Sequence, residues 1–282
     1  MSAAAVARKD FLDVRRAKIV WFVVGVYVLL TALFFVQVRL ADAGGPDGPP
    51  AVLRALWNVA FVGAVFVPAV ALVSAYLAVA GERESGSIKF LLSTPITRRD
   101  VVVGKYVSRA AVVAASLALA FAVAAALSAV WFGSLRTGTF AGIAALTTVY
   151  ALAYVAVAIG ISASTASRAQ AMAAALGFYF STNVMTLVDG MSALAALRYA
   201  LNELLGLGVG EDATRFLGVL TNPTQAYLVA VQLAFPAGFM DLPAADGVAW
   251  YARPEVAVVV LLAWLVAPIL FGLRRFERAD IG

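Results

Sequence analysis

Six long runs without any charged residue limit what this chain can fold into more than any other feature of its sequence. Uncharged apolar runs of about 18 residues or more are typical of transmembrane helices. Of the 282 residues, 63% are hydrophobic and only 13% are charged. We therefore predict an all-α integral membrane protein with six transmembrane helices. The predicted spans are 19–38, 55–80, 101–132, 140–162, 169–188 and 256–273, of which the third begins before its uncharged run, which starts at 110.

The distribution of basic residues predicts the orientation of these spans. With six spans and both termini in the cytosol, 15 of the 21 lysines and arginines lie on the cytosolic side. Basic residues favour that side in short loops. A seventh span over the uncharged run 216–240 would move Arg274, Arg275 and Arg278 outside. We predict a multi-pass protein of the cell (plasma) membrane with cytoplasmic N- and C-termini.

The residue types that are missing exclude several functions. The chain has no cysteine and no histidine, which excludes disulfides, thiol catalysis and the usual zinc or haem ligands. Ser162 and Ser164 end span four without a neighbouring base, so we interpret them as hydrogen-bonding groups at a helix end. An ion-coupled secondary carrier is the alternative class, but such carriers place ionisable groups at mid-membrane. We expect no catalytic residue, metal or cofactor in this chain, and no nucleic-acid partner.

Two regions outside the spans have an amphipathic pattern. Residues 6–18, VARKDFLDVRRAK, mix apolar and basic residues at helical spacing, which is typical of an interfacial helix. Residues 190–255 form an outer region that contains the sequence Asn222-Pro223 inside an apolar run. Polar groups and a proline at membrane depth need partners inside the protein. We predict short helices there, either re-entrant or lying on the outer leaflet.

The loop between spans two and three, residues 81–105, contains its own helix signals. Gly86 permits a sharp change of direction, Ser87 is predicted as an N-cap, and Pro95 ends the short helix. Ile88, Leu91 and Leu92 follow i, i+3, i+4 spacing and give one apolar face.

A second helix signal follows at once. Thr97 and Asp100 form a capping-box pattern that starts a helix running to about Phe132, longer than the roughly 30 Å hydrocarbon core requires. A cytosolic helix with an apolar face predicts a docking surface for a partner; the alternative is a helix lying on the inner leaflet.

The stretch GERESGSIKFLLSTPITRRDVVVGK resembles the signature of ABC-2 type transporter permeases, in particular prokaryotic members grouped with the permease of nitrous-oxide-reductase maturation. It has the acidic pair, the glycine, the Leu-Leu step, the proline, the basic pair and the Gly-Lys of that signature. The resemblance implies that residues 82–95 are a coupling helix that docks into an ATPase subunit. The residues carried over are Glu82, Glu84, Gly86, Leu91, Leu92, Pro95 and Lys105.

The resemblance also implies partners. No complete Walker A motif occurs in the sequence, so ATP and Mg²⁺ are expected on a separate ATPase subunit. A second permease copy, identical or not, and membrane lipid are the other expected partners, and export is the expected direction. The substrate stays open.

Two sets of candidate site residues follow. Asn183, Thr186 and Gln37 are polar candidates for lining a pathway, and each fits an interhelical hydrogen bond equally well. The predicted docking set is Glu82, Glu84, Gly86, Ser87, Ile88, Leu91, Leu92, Pro95, Arg98 and Lys105.

Overall fold

The computed structural model of the protein describes residues 3–15, 18–40, 51–133, 135–187, 193–236, 238–239 and 248–280. Every regular element within these ranges is helical, as the sequence predicts. Four helices there are long and apolar enough to cross a membrane: Ala51–Glu84, Arg98–Phe132, Thr137–Ser164 and Pro254–Glu277. They contain the predicted spans two, three, four and six.

Two of these four helices have internal irregularities. The first consists of α3, Ala51–Ala75, a turn at 76–79, and the short helix α4, Ala80–Glu84. The last consists of α12, Pro254–Ala263, and α13, Ala267–Glu277, joined by a turn at 264–266.

The predicted spans one and five are helical as well. Helix α2, Lys18–Leu40, contains the whole of the predicted span 19–38. Helix α8, Arg168–Tyr179, continues as a π-helical turn, Phe180–Val184, and a 3₁₀ turn, Met185–Leu187; residue 188 lies outside the described residues. Within the described residues, neither segment is both long and apolar enough to count as a membrane-crossing helix. The count of six spans therefore stays a prediction.

Helix α6, Arg98–Phe132, begins where the sequence predicts. The Thr97 amide donates to Asp100 Oδ2 at 3.0 Å, and the Asp100 amide donates to Thr97 Oγ1 at 3.1 Å, which is a complete capping box. The helix has 35 residues, or roughly 52 Å at 1.5 Å per residue. It is therefore longer than a hydrocarbon core, and its first turns contact α1, Ala3–Arg15, through Ala3, whose amide donates to Asp100 Oδ1 at 3.0 Å.

Helix α7, Thr137–Ser164, is the central helix of the described bundle. Its residues from Tyr150 to Ala163 are almost all buried, and it packs against α3, α6 and α13. The contact with α13 is the tightest, because a Cβ atom on Gly160 would lie only 2.3 Å from the Pro268 carbonyl oxygen. Small residues here let two backbones approach directly.

The region between α8 and α12 contains three further helices. They are α9, Ala193–Tyr199, which continues as a π-helical turn, Ala200–Leu204; α10, Glu211–Thr221; and α11, Pro223–Ala230. Helix α11 is followed by a 3₁₀ turn, Val231–Ala234, and a last 3₁₀ turn, Trp250–Ala252, precedes α12. Residues 190–192, 237 and 240–247 of the predicted outer region lie outside the described residues.

A break at Asn222 separates α10 from α11. Asn222 Oδ1 accepts hydrogen bonds from the Thr224 and Gln225 amides at 2.8 and 3.4 Å, and Pro223 occupies the first helical position. Tyr227 of α11 is fully buried and hydrogen-bonds Thr147, near the middle of α7, at 2.9 Å. The broken segment predicted from Asn222-Pro223 thus packs inside the bundle.

Candidate functional site

The loop between α4 and α6 contains the predicted short helix, α5, Ser87–Leu92. The backbone reverses at Gly86, whose φ of +74° favours glycine. The prediction that Ser87 is the N-cap is wrong: Gly86 occupies that position, and Ser87 is the first helical residue. The Ser87 hydroxyl instead lies 3.0 Å from the Ser85 hydroxyl.

The predicted apolar face of α5 packs against the protein itself. Ile88 is fully buried in the main core. Leu91 and Leu92 are half-buried and pack against a small cluster that includes Val6 of α1 and Ile96. Ile88 is therefore not available to a partner in this structure, and the two leucines are available only in part.

The outward face of α5 carries a residue that the sequence prediction missed. Phe90 is 81% exposed, and its neighbours Lys89 and Ser93 are exposed as well. A groove of about 420 Å³ lies beside it, lined by Phe90, Leu91 and Thr94 on one side and by Ala5 and Lys9 of α1 on the other. In the sequence, the signal for this position is a large aromatic residue that lies outside the apolar face of the helix.

Four charged residues form an ion-pair cluster beneath α5: Asp10, Glu82, Lys105 and Arg109. Lys105 Nζ lies 3.3 Å from Asp10 Oδ1 and 2.8 Å from Glu82 Oε1, and Arg109 Nε lies 3.1 Å from Asp10 Oδ2. The Lys105 side chain is only 4% exposed and that of Asp10 only 9%. Lys105, predicted in the docking set, is therefore an interior residue that joins α1, α4 and α6.

The charges in this cluster compensate one another. Burial alone raises the pKa of Asp10, but the positive charges of Lys105 and Arg109 more than offset this effect, so the pKa lies below its ordinary value of 3.8. Asp10 is therefore ionised at neutral pH. Two acidic and two basic side chains leave the cluster neutral, which is the condition under which charges are tolerated in the interior.

Two arginines connect this loop to the C-terminal helix. Arg98 donates to the carbonyl oxygens of Phe276 and Ala279, the latter at 2.8 Å, and its guanidinium lies 5.3 Å from the centre of the Phe276 ring. Arg83 lies 5.8 Å from the same ring centre and donates to the Thr165 carbonyl oxygen at 2.6 Å. Arg98 is half-exposed, and its contacts fix the start of α6 to the end of α13.

The start of α4 is fixed by α7. The Ser162 hydroxyl oxygen accepts hydrogen bonds from the Val79 and Ala80 amides at 2.9 and 3.0 Å, which confirms the interpretation of Ser162 as a helix-end hydrogen-bonding group. Glu84 accepts a hydrogen bond from the Arg168 amide at 2.6 Å.

The other predicted docking residues lie nearer the surface. Glu82 and Gly86 are half-exposed, and Glu84, Ser87 and Pro95 are exposed. Within the part of the chain described by the structure, no group of three or more acidic side chains is arranged to hold a metal ion.

The three polar residues predicted to line a pathway lie in different environments. Asn183 is 2% exposed, donates to the Tyr154 hydroxyl at 3.0 Å and accepts from the Thr224 hydroxyl at 2.9 Å. Asn183 therefore makes interhelical hydrogen bonds, which are the predicted alternative to lining a pathway. Thr186 lies at the edge of a small cavity, and Gln37 is exposed on α2.

A buried hydroxyl network surrounds Asn183. Tyr150 and Tyr154 of α7 lie 2.9 and 2.7 Å from Thr224 Oγ1, and Tyr154 lies 3.0 Å from Thr182 Oγ1. The Tyr150 and Tyr227 rings stack with their centres 4.3 Å apart. The network joins α7, the π-helical turn after α8 and the start of α11. Its polar groups are hydrogen-bonded to one another in the interior, away from water.

Comparison with known proteins gives consistent results along the whole chain. The family described as "ABC-2 family transporter protein" matches residues 4–281. A probable ABC transporter permease protein NosY from Stutzerimonas stutzeri is 26% identical over 286 residues, which cover 97% of each chain. A probable ABC transporter permease protein NosY from Pseudomonas aeruginosa is 27% identical over 275 residues, covering 95% of this chain and 92% of that protein. With its long apolar helices and the short helix α5 between two of them, this chain belongs to the ABC-2 family of transporter proteins, as a permease-type membrane subunit.

Proposed function

We propose that this chain is the membrane-spanning subunit of an ABC exporter that is driven by a separate ATPase subunit docked around Phe90. One observation carries the proposal: Phe90 is 81% exposed on a short helix whose other apolar residues are packed inward. A helix on the inner leaflet would present such an aromatic residue to lipid, whereas the resemblance of this loop to ABC-2 coupling helices favours a partner protein. Export is the direction that the resemblance to ABC-2 type permeases implies.

The docking surface combines α5 with α1. Burying a phenylalanine side chain contributes about 1.5–3 kcal/mol, and aromatic anchors near the centre of an interface carry much of its binding energy. Lys9 lines the same groove as Phe90. We therefore infer a partner surface with an apolar pocket for Phe90 and an acidic group near Lys9.

Movement of the docked ATPase is transmitted through the ion-pair cluster. Lys105 connects Asp10 of α1 and Glu82 of α4 to α6, and α6 continues from this point for the length of the bundle. A push on α5 then moves α1, α4 and α6 together. Arg98 extends the same connection to α13.

The proposed arrangement in the cell follows from the sequence prediction. The chain has six spans with both termini in the cytosol of a prokaryotic plasma membrane, and it pairs with a second permease copy. ATP and Mg²⁺ bind to the ATPase subunits. The packing of Tyr227 against the middle of α7 supports a re-entrant position for α11 rather than one on the outer leaflet.

Co-purification tests this proposal. The tagged wild-type protein, extracted from its own cells in mild detergent, is expected to bring with it a chain that contains a complete Walker A motif. Phe90→Asp is expected to lose that chain, because a charge replaces the aromatic anchor. Trp250→Asp is the matched control, since Trp250 is also aromatic and 71% exposed but lies far along the chain, beside α12. Retention of the ATPase by Phe90→Asp would sink the docking proposal.

Substitution of the two leucines is a weaker test. Leu91→Asp and Leu92→Asp are also expected to reduce ATPase association, but both side chains pack on α1 or the core. A loss of ATPase association in these variants therefore does not distinguish lost docking contacts from local unpacking of α5. Phe90→Asp leaves that packing intact.

A further inference from the structure

A small cavity with both polar and apolar lining residues lies where two interrupted helices meet, away from the docking surface. One interruption is the π-helical turn after α8, and the other is Asn222, between α10 and α11. The Asn222 side-chain amide donates to the Thr182 carbonyl oxygen at 2.9 Å and joins them. The cavity beside this bond has a volume of about 130 Å³. Interrupted helices at membrane depth are tolerated where they line a cavity.

The hydroxyl groups at this cavity offer only acceptors to a ligand. A hydroxyl has a single proton, and three of the lining hydroxyls donate that proton to a backbone carbonyl of their own helix. Their oxygen lone pairs remain for a ligand. The bonds are Ser181 Oγ to Phe178 O at 2.9 Å, Thr186 Oγ1 to Thr182 O at 2.6 Å, and Thr221 Oγ1 to Leu217 O at 2.7 Å.

A helix end beside the cavity adds negative potential. The carbonyl end of α10 lies at Thr221, which lines the cavity. Carbonyl ends of helices favour cations. The opposing amide end belongs to α11, but Asn222 Oδ1 already accepts two of its amide protons, at 2.8 and 3.4 Å.

We propose that this cavity binds a monovalent metal cation, Na⁺ or K⁺, together with part of its hydration shell. The described lining residues include no charged side chain, whereas Ca²⁺ and Mg²⁺ sites use carboxylates. The carbonyl ends of broken helices coordinate monovalent cations in other membrane proteins, and the hydroxyl oxygens here add further acceptors. The volume corresponds to about four water molecules at roughly 30 Å³ each, which leaves room for a partly hydrated ion. The bound ion ties the α8 segment to α10.

Thermal unfolding in different salts tests this site. The full-length protein is purified in mild detergent, and its melting temperature is measured in NaCl, KCl and N-methyl-D-glucamine chloride at equal ionic strength. We expect a saturable rise of about 2–4 °C in NaCl or KCl over the organic cation, the size of a specific ligand effect for a chain of this length.

Variants locate the effect. Thr221→Val and Ser181→Ala each remove one acceptor oxygen, and the rise is expected to disappear in both. Thr148→Val is the matched control, because its hydroxyl also donates to its own helix, to Ala144 O at 2.7 Å, but lies outside the cavity; it is expected to keep the full rise. Equal melting temperatures of the wild type in all three salts would overturn the proposal, and so would a rise that persists in both cavity variants.

Discussion

Asp10 and Lys105 are 95 positions apart in the sequence and form an ion pair of 3.3 Å in which both side chains are almost completely buried. The pair joins the N-terminal helix α1 to the first turns of the long helix α6. Lys105 also contacts Glu82, at 2.8 Å, so a single ammonium group holds together the three elements on which α5 rests.

Removal of this ammonium group is expected to destabilise the protein strongly. Lys105→Met keeps the aliphatic packing but leaves the Glu82 carboxylate without its cation and removes one of the two cations beside Asp10. The free energy of unfolding is expected to fall by on the order of 3 kcal/mol, since removing one partner of a buried pair leaves an uncompensated charge. Thermal or denaturant unfolding in detergent measures this change.

The matched control for that variant is Arg168→Met. Arg168 pairs with Glu84 at 3.8 Å, but the two side chains are 56% and 45% exposed. Exposed pairs contribute about 0–1 kcal/mol. Equal losses of unfolding free energy in Lys105→Met and Arg168→Met would contradict the role of the buried ion-pair cluster in stabilising the protein.

The contact between α7 and α13 gives a second prediction. Gly160→Ala is expected to lower the free energy of unfolding by about 1–3 kcal/mol, because the new Cβ atom would meet the Pro268 carbonyl oxygen at 2.3 Å. Gly177→Ala on α8 places a Cβ atom in open space and is expected to raise stability by roughly 0.5–1 kcal/mol through helix propensity. The two melting temperatures should therefore move in opposite directions.

The buried hydroxyl network gives a third prediction. Thr224→Val keeps the shape of the side chain but removes the oxygen that Tyr150, Tyr154 and Asn183 share. Buried polar groups left without a partner cost about 1–3 kcal/mol, so we expect a loss of that size in unfolding experiments. A Thr224→Val protein as stable as Thr148→Val, which affects only a local bond to Ala144, would show that the network contributes nothing.

The sequence alone predicts those features that depend on neighbouring residues. The capping box of Thr97 and Asp100 was correct because both partners lie within one helical turn. The break at Asn222-Pro223 was correct for the same reason, since a proline and its preceding cap act locally.

The sequence does not predict which surface a distant element covers. The apolar spacing of Ile88, Leu91 and Leu92 was correct as a pattern, but it does not tell a surface for a partner from a surface for α1, which lies some 80 residues earlier. Lys105 was placed on the docking surface by the family resemblance, and nothing in the sequence indicated its burial because its partner Asp10 is far away along the chain. Phe90 was missed because it falls outside the apolar stripe.

The most direct test of the account is a cross-link from position 93, beside Phe90. The chain contains no cysteine, so Ser93→Cys provides a single exposed thiol beside Phe90 and leaves the aromatic anchor in place. Trp250→Cys provides an exposed control thiol. A short thiol-to-amine cross-linker is applied to membranes of the native cells, and the adducts are identified by mass spectrometry. We predict an adduct between position 93 and a chain with a complete Walker A motif, and none from position 250. An ATPase that co-purifies with the Ser93→Cys protein but gives no adduct from position 93 would contradict the account.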